Sequence, residues 1–263
     1  LKGTSLPFPY GDLAALGTLL DDHRGEVAAV IMEPLRSELP PDGYLAGVRK
    51  LCDERGIVLI FDEVSCGFRT RIGGIQELVG VTPDLAVFAK AISNGYPMAA
   101  VVGKRSVMEQ AAPMFISSTY WSDTIGLRAA LTTIQELRRR NVPGQLDALG
   151  KEITQRMNQA AQETGLPVVC RGLTTHPLLA FQIDDPATKS KLTTLYIQEM
   201  AKRGCHGYAA FYLNAAQGAA EVEQTVAAAK EVFSLMKEGL DGGRLDKLLE
   251  CDLAQDAFRR LVR

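Results

Sequence analysis

Short apolar runs alternate with amphipathic segments through the first half of the chain, and this alternation constrains the fold more than any other feature. The runs with the length and composition of buried strands are Ala28 to Met32, Ile57 to Phe61, Leu85 to Ala89 and Met98 to Val102. An amphipathic segment carries Leu45, Val48 and Leu51 on one helical face and ends at Gly56. The order strand, helix, strand predicts an α/β fold with a mostly parallel sheet covered by helices on both faces.

Two chemically active side chains follow these runs. Asp62 and Glu63 close the second run, and Lys90 closes the third. Ligands of open α/β sheets collect at the carboxyl ends of the strands, so we expect Asp62 and Lys90 to project toward one crevice. The neighbours of Lys90, from Ala86 to Ile92, are apolar. We therefore expect partial desolvation of Lys90, which favours the neutral amine that attacks aldehydes.

Structural roles also fit these residues. A lysine in an apolar run can bury its stem and keep its ammonium in solvent, and Asp62-Glu63 can cap a helix or form an ion pair. Neither structural role is excluded by these residues alone. Four apolar residues before Asp-Glu also match the Walker B element of nucleotide hydrolases. That interpretation requires a G-x-x-x-x-G-K-[ST] loop, which the sequence lacks.

A hydroxyl-rich stretch precedes a long amphipathic segment. Ser117, Ser118 and Thr119 offer hydroxyls and backbone N–H groups that suit a phosphate, although such residues equally often cap helices. Asp123 is a good N-cap, and the apolar spacing after it predicts a long helix that runs to the basic cluster at residues 138–140.

The pattern changes after Pro143-Gly144, which predict a break in the chain. The elements predicted beyond it are helices near Leu146 to Glu163, Thr188 to Arg203 and Ala219 to Met236, and strands near Val168 to Val169, Leu178 to Ile183 and Ala209 to Leu213. Apolar residues from Leu245 to Phe258 predict a terminal helix. We expect a first domain over residues 1–140 and a smaller α+β domain over residues 141–263.

Charge and composition limit the classes of partner that the chain can bind. The net charge is −2 with interspersed signs, so no basic stripe is available for a nucleic acid. The sequence shows no apolar run of about 20 residues and no signal-peptide pattern at its start, and we expect a soluble, cytoplasmic protein without a membrane partner. The five cysteines are scattered and the three histidines lack ligand spacing, which argues against disulfides and metal sites. An organic cofactor is the expected source of any difficult chemistry.

Several motifs, in a fixed order and spacing, carry a family resemblance. They are Met32-Glu33-Pro34, Pro41 to Leu45, Leu59 to Val64, Gly67-Phe68-Arg69, Gly73-Gly74, Gly80 to Leu85, the lysine segment, Gly95-Tyr96-Pro97, Gly103-Lys104-Arg105 and Ser118-Thr119. Together they resemble the class III aminotransferases that depend on pyridoxal 5′-phosphate (PLP), the family that includes glutamate-1-semialdehyde 2,1-aminomutase. The match extends over residues 27–137.

The resemblance implies a fold and an activity. It implies a fold-type I PLP-dependent transferase, with residues 1–140 as the C-terminal half of the large, mostly parallel sheet domain and residues 141–263 as the small α+β domain. It also implies transfer of an amino group between a small amino donor and a carbonyl acceptor, in a homodimer. The 2,1-aminomutase reaction is the alternative within the family, because the same motifs serve both reactions.

The resemblance also implies roles for single residues. Lys90 forms the Schiff base with PLP and later moves a proton, while Asp62 pairs with the pyridinium nitrogen. Val64 packs against the cofactor ring. Ser118 and Thr119 contact the phosphate, with Thr119 reaching into the neighbouring subunit's site. Glu33 lies near the site, where a structural role fits equally well.

The chain departs from the family in three respects, of which the presence of Gln217 where a histidine often follows the late Ala-Ala pair matters little. Ser65-Cys66 follows Asp-Glu-Val, a change that bears on packing against the ring. Family members also carry a long N-terminal half before the point that matches Leu1, which supplies a phosphate cradle, a stacking aromatic residue and most substrate contacts. We therefore expect this chain alone to be weakly active or inactive. A non-catalytic remnant that binds a full-length homologue or another partner is the alternative from a different class.

Overall fold

A computed structural model of the chain describes residues 3 to 254, apart from residues 36, 118, 120 and 122. The chain divides into two compact units, with Pro143 at the end of the first and Gly144 at the start of the second. Within the described ranges, each unit has its own sheet, of four strands in the first and two in the second. None of the helices in these ranges is long and apolar enough to cross a membrane.

The first unit combines helices with a four-stranded sheet. Its helices are α1 (Leu13–Asp22), α2 (Tyr44–Arg55), α3 (Gln76–Val79), α4 (Arg105–Met108) and α5 (Thr124–Arg139). Its strands are β1 (Ala29–Met32), β2 (Val58–Asp62), β3 (Leu85–Phe88) and β4 (Ala100–Gly103). All four predicted strands are present, with ends displaced by at most two residues.

The sheet is mixed, in the order β1-β2-β3-β4. Strands β1, β2 and β3 run parallel, whereas β4 is antiparallel to β3. Met32 pairs with Phe61, and Asp62 pairs with Val87. The carboxyl ends of the three parallel strands therefore meet at one edge of the sheet.

Helices cover one face of this sheet. Leu59 and Phe61 of β2 are fully buried in a cluster with residues of α1 and α2. Ala86 of β3 packs in a second cluster with Ala130 of α5. On the opposite face, Ile31 is 60% exposed. Cover on this second face is therefore incomplete at β1 in the part of the chain that the structure describes. An apolar strand projects side chains to both faces, so its composition reveals what it must bury and not which segment covers it.

Local signals explain where the helices begin and end. Asp12 caps α1 by accepting a hydrogen bond from the Ala15 N–H at 2.9 Å, and Asp123 accepts one from the Ile125 N–H at 2.8 Å. Gly56 ends α2 with a φ of 66°, a left-handed conformation that glycine adopts without strain. The predicted N-cap at Asp123 and the predicted stop at Gly56 are confirmed.

A buried carboxylate ties β2 to the start of β3. Asp84 Oδ2 accepts hydrogen bonds from the Leu59 N–H at 2.7 Å and from Arg49 at 2.8 Å, while Oδ1 lies 2.7 Å from the Lys104 ammonium. Burial by itself would raise the pKa of Asp84, but the hydrogen bonds from Lys104, the Leu59 N–H and Arg49 outweigh it and lower the pKa. Asp84 is therefore a charged anchor for the strand that leads to Lys90.

The second unit is α+β. It contains an antiparallel hairpin of β5 (Val168–Leu173) and β6 (His176–Phe181), together with α6 (Val142–Thr164), α7 (Pro186–Lys202), α8 (Ala219–Asp241) and α9 (Leu245–Leu248). Tyr196 of α7 and Phe233 of α8 are buried in its core with ring centroids 6.2 Å apart. Large apolar side chains on facing helices thus form the core of this unit.

Three predictions for the second half need correction. Helix α6 begins at Val142 and not near Leu146, because proline in the first helical turn needs no hydrogen-bond partner. The chain turns before it at Asn141, which has a φ of 48°. The segment from Ala209 to Leu213 forms one bridge, between Leu178 and Ala210, and not a strand. In the described residues the terminal helix is short, covering Leu245–Leu248, and residues 255–258 of its predicted course lie outside the described residues.

Candidate active site

Asp62 and Lys90 lie at the same edge of the first unit's sheet. Asp62 is the last residue of β2 and pairs in register with Val87 of the neighbouring parallel strand β3. Lys90 follows two residues after the end of β3 and begins a short 3-10 turn, Lys90–Ile92. A half-buried carboxylate and an amine therefore come from adjacent strand ends.

The Asp62 carboxylate is held by its own backbone segment. Its Oδ1 accepts a hydrogen bond from the Val64 N–H at 3.0 Å. Val64, two residues further along the chain, is itself half-buried. This local hydrogen bond restricts the rotation of the Asp62 side chain, and it involves only Oδ1 of the two carboxylate oxygens.

Lys90 has an unusual backbone conformation and an exposed side chain. Its φ is 48°, in the left-handed region that residues other than glycine adopt at a cost. Its Nζ donates a hydrogen bond to Ser65 Oγ at 2.9 Å. The expectation of partial desolvation is therefore wrong for the described structure. Its apolar neighbours Phe88 and Ile92 are buried, while Lys90 itself is exposed.

Ser65 is the functional candidate that sequence reasoning missed. The sequence alone shows Ser65 as a departure from the family pattern and indicates no hydrogen-bond partner for its hydroxyl. In the structure, Ser65 joins the segment that follows β2 to the amine that follows β3. Its position three residues after Asp62, at a strand end, is the signal that could have identified it.

Glu63 is buried beside this site and binds the segment that contains Ser65. Its Oε2 accepts a hydrogen bond from the Ile75 N–H at 2.8 Å, and its backbone oxygen accepts one from the Gly67 N–H at 2.8 Å. Burial raises the pKa of Glu63, although the Ile75 N–H and the Cys66 thiol oppose this effect. Burial also raises the pKa of Cys66 to about 12, so its thiol stays protonated.

The other predicted site residues are placed less closely. Glu33 follows β1 directly, at the sheet edge where Asp62 ends β2, and is half-buried with a polar partner. Thr119 lies exposed in the turn region before α5. Ser118 lies outside the described residues. The contacts known for the described residues do not bring Thr119 to Asp62 or Lys90.

Two other features of the chain bear on the choice of site. Within residues 3–254, leaving out the four gaps, no group of three or more His, Cys, Asp and Glu side chains is placed to hold a metal ion. A cavity of about 510 Å³ opens in the second unit, with Tyr208, Phe211 and Tyr212 in its lining. None of the described residues that line it is a lysine, so the cavity has no counterpart of Lys90.

Comparisons with known proteins agree on one family. A family model described as aminotransferase class III matches residues 12–209. A 3-aminobutyryl-CoA aminotransferase of Cloacimonas acidaminovorans (strain Evry) is 35% identical over 214 residues, which cover 76% of this chain and 52% of the relative. A glutamate-1-semialdehyde 2,1-aminomutase of Syntrophobacter fumaroxidans (strain DSM 10017 / MPOB) is 32% identical over 253 residues, which cover 89% of this chain and 58% of the relative.

A solved structure shares the fold. The FumI protein of Sphingopyxis sp. MTA144, in its PLP internal aldimine form, superposes with a TM-score of 0.84 and 26% sequence identity. The superposition covers 93% of this chain and 60% of that chain. The chain thus spans little more than half the length of the proteins that it matches.

Proposed function

The chain belongs to the class III aminotransferases and has their fold-type I architecture, and from this membership we propose that it is part of a PLP-dependent enzyme. The enzyme transfers an amino group between an amine or amino acid and a carbonyl compound. The observation that carries the proposal is the placement of the Lys90 amine and the Asp62 carboxylate at the ends of adjacent parallel strands.

The residues at this edge suit the chemical groups of PLP. An aldehyde requires an amine partner, and Lys90 offers an exposed one. A protonated pyridine nitrogen requires an anion, and Asp62 offers a half-buried carboxylate. Val64, whose N–H binds Asp62, is the apolar residue for a ring face. We propose that Ser118 and Thr119 bind the cofactor phosphate. We also propose that Glu33 supports the site from a position near it.

The chain's own residues then have distinct tasks. PLP, when bound, supplies an electron-withdrawing ring that stabilises negative charge on the substrate carbon next to nitrogen. Asp62 holds the proton on the ring nitrogen, because a neighbouring anion favours the charged form of that nitrogen. Lys90 Nζ would take the proton from that substrate carbon and deliver it to the carbon that was the aldehyde carbon of the cofactor. Ser65 Oγ orients Nζ between these positions.

We further propose that a second copy of the chain covers the surface around Thr119. Phe115 is 96% exposed, Trp121 is 66% exposed and Ile125 is 60% exposed, and these residues flank Thr119 in the sequence. Apolar patches of this kind mark association surfaces. A homodimer through this surface would bring Thr119 to the partner's cofactor phosphate, which agrees with its lack of described contacts to Asp62 and Lys90.

Two other functions are candidates beside this amino-group transfer. The 2,1-aminomutase reaction is the second candidate, favoured by the relative with that name that is 32% identical. A non-catalytic remnant is the candidate from another class, and the presence of both Lys90 and Asp62 speaks against it.

We propose the cytoplasm as the compartment, since the thiols of Cys52, Cys66 and Cys170 are free and buried, as expected in a reducing environment.

A half-reaction assay tests the proposed activity. The protein is loaded with PLP and mixed with an amino donor, and the cofactor's absorbance is followed as it changes from the aldehyde to the amine form. We expect Lys90→Ala to abolish the change, and Asp62→Asn to keep part of the bound cofactor but lose most of the rate. A rate in Lys90→Ala equal to that of the unchanged protein would contradict the proposal. So would the absence of a Lys90-dependent change, both in this chain and in any longer protein that contains it.

A further inference from the structure

Two buried oxygens, Glu63 Oε1 and Gln76 Oε1, lie close together beside Gly74. Glu63 is fully buried, and its Oε1 has no hydrogen-bond partner among the residues that the structure describes. The same holds for Gln76 Oε1. A Cβ atom placed on Gly74 would lie closer than 3.0 Å to both oxygens, so the two atoms share one small space.

A single proton satisfies both oxygens. Two acceptors that face each other without a donor repel, and a buried acceptor without a partner is costly. If the Glu63 carboxyl is neutral, its Oε1–H can donate to Gln76 Oε1 while Oε2 keeps the Ile75 N–H. Burial raises the pKa of Glu63, which favours this neutral form. Among the residues that the structure describes, the titratable side chain hydrogen-bonded to Glu63 is that of Cys66, whose Sγ lies 3.8 Å from Oε2 and whose pKa burial raises to about 12.

Glu63 also binds the segment that contains Ser65, the hydrogen-bond partner of Lys90. This segment, residues 64–75, is bound to Glu63 at Gly67 through the backbone and at Ile75 through the side chain. Ser65 lies inside it and accepts the hydrogen bond from Lys90 Nζ. This segment therefore joins the Glu63 carboxyl, bound at Ile75, to the hydroxyl that accepts the hydrogen bond from Lys90 Nζ.

We propose that Glu63 is a positioning residue: as a neutral carboxylic acid it donates to Gln76 Oε1 and thereby fixes segment 64–75 in the conformation that holds Lys90 at Ser65. The inference rests on the proposed function for its meaning, since Lys90 is there the cofactor-binding amine. Its tests use the protein without cofactor, so a failure of the positioning role and a failure of the PLP role are distinguishable.

Amide hydrogen exchange at Ile75 tests the buried pair. Gln76→Met removes the acceptor but keeps the size of the side chain, and we expect the Ile75 N–H to exchange roughly tenfold faster. Glu77→Met, at the exposed neighbouring position on α3, is the matched control and should leave this rate unchanged. An Ile75 rate in Gln76→Met equal to that of the control would overturn the pair.

Substitution of Glu63 separates a neutral donor from a charged acceptor. Glu63→Gln keeps one carbonyl oxygen for the Ile75 N–H and one N–H for Gln76 Oε1, so we expect rescue, with exchange close to that of the unchanged protein. Glu63→Leu keeps neither bond and should accelerate exchange. If Glu63→Gln accelerates exchange as much as Glu63→Leu, the Glu63 side chain is needed as a charged carboxylate that accepts a hydrogen bond from the Gln76 amide. That result would overturn the proposal that Glu63 is a neutral donor.

Reactivity of the Lys90 amine tests the positioning role. Each lysine is labelled in competition with a trace of acetic anhydride over a pH series, and the sites are quantified by mass spectrometry. We expect Gln76→Met and Glu63→Leu to accelerate labelling of Lys90 by roughly threefold, because loss of the Ser65 contact frees the amine. Lys50, an exposed lysine on α2, is the internal control. A Lys90 profile that stays unchanged in Gln76→Met, while Ile75 exchange is accelerated, would overturn the positioning role. Gln76→Met keeps the test decisive where Glu63→Leu fails to fold.

Discussion

Lys90 Nζ donates a hydrogen bond to Ser65 Oγ at 2.9 Å, which joins the turn after β3 to the segment after β2. These residues lie 25 positions apart in the sequence. The contact therefore depends on the parallel pairing of β2 with β3, and on the conformation of the segment that follows β2. It fixes the position of the amine on which the proposed chemistry depends.

Substitution of Ser65 should change Lys90 and little else. Ser65→Ala removes the acceptor, and we expect Lys90 to react roughly threefold faster in competitive labelling, with a change of less than about 0.5 kcal/mol in the free energy of unfolding. Ser65→Thr keeps the hydroxyl and should retain the original rate. Equal Lys90 rates in Ser65→Ala and the unchanged protein would show that the hydrogen bond has no influence on the amine.

Removal of the Asp84 carboxylate should destabilise the first unit strongly. Asp84→Ala leaves Arg49 and the Leu59 N–H without their buried partner, and we expect a loss of about 3 kcal/mol in the free energy of unfolding. Asp53→Ala is the matched control, because it removes an exposed partner of the same arginine and should cost less than about 1 kcal/mol. Denaturant unfolding of both variants measures the difference. Similar losses in the two would contradict the anchoring role of Asp84.

The buried carboxyl of Glu63 should make stability depend on pH. Its pKa in the folded chain is raised above the ordinary value of 4.5, so folding favours the protonated form. This contribution to stability is fully present below pH 4.5 and is lost as the pH rises through the folded-state pKa. Relative to Glu63→Gln, the unchanged protein should therefore lose stability as the pH rises above 4.5. Denaturant unfolding at several pH values measures this difference, and a constant difference would show that Glu63 does not titrate as described.

Glycine positions 74 and 17 should respond in opposite directions to alanine. At Gly74 a Cβ would collide with the Glu63 and Gln76 side chains, and we expect Gly74→Ala to cost about 2 kcal/mol. At Gly17, inside α1, a Cβ would meet no atom within 4 Å, and alanine should stabilise the helix by about 0.5–1 kcal/mol. Thermal unfolding of the two variants tests the packing around the buried pair. Stabilisation by Gly74→Ala would mean that the space between the two oxygens is open.

The sequence was informative about the side chains at the strand ends. The positions of Asp62 and Lys90 could be predicted, because each follows a run of apolar residues that forms a buried strand and parallel strands end at one edge. Asp123 and Gly56 could be identified from local chemistry alone, since a cap depends on the residue itself and its nearest neighbours.

Features that depend on distant residues were not predictable. The Ser65 partner of Lys90 requires two strands to pair, and the burial of Glu63 requires segment 64–75 to close over it. Pro143 suits a chain break and a first helical turn equally well, so the sequence could not distinguish them. The exposure of Ile31 reflects which helices cover the sheet, and the strand's own residues do not contain this information.

Reduction with borohydride in the presence of PLP, followed by peptide mapping, shows whether Lys90 is the residue that carries the cofactor. We expect a pyridoxyl group on the peptide that contains Lys90, lost in Lys90→Arg and retained in Lys50→Arg. Absence of this adduct from Lys90, in the chain and in any longer protein that contains it, would overturn the assignment of Lys90 as the cofactor-binding residue.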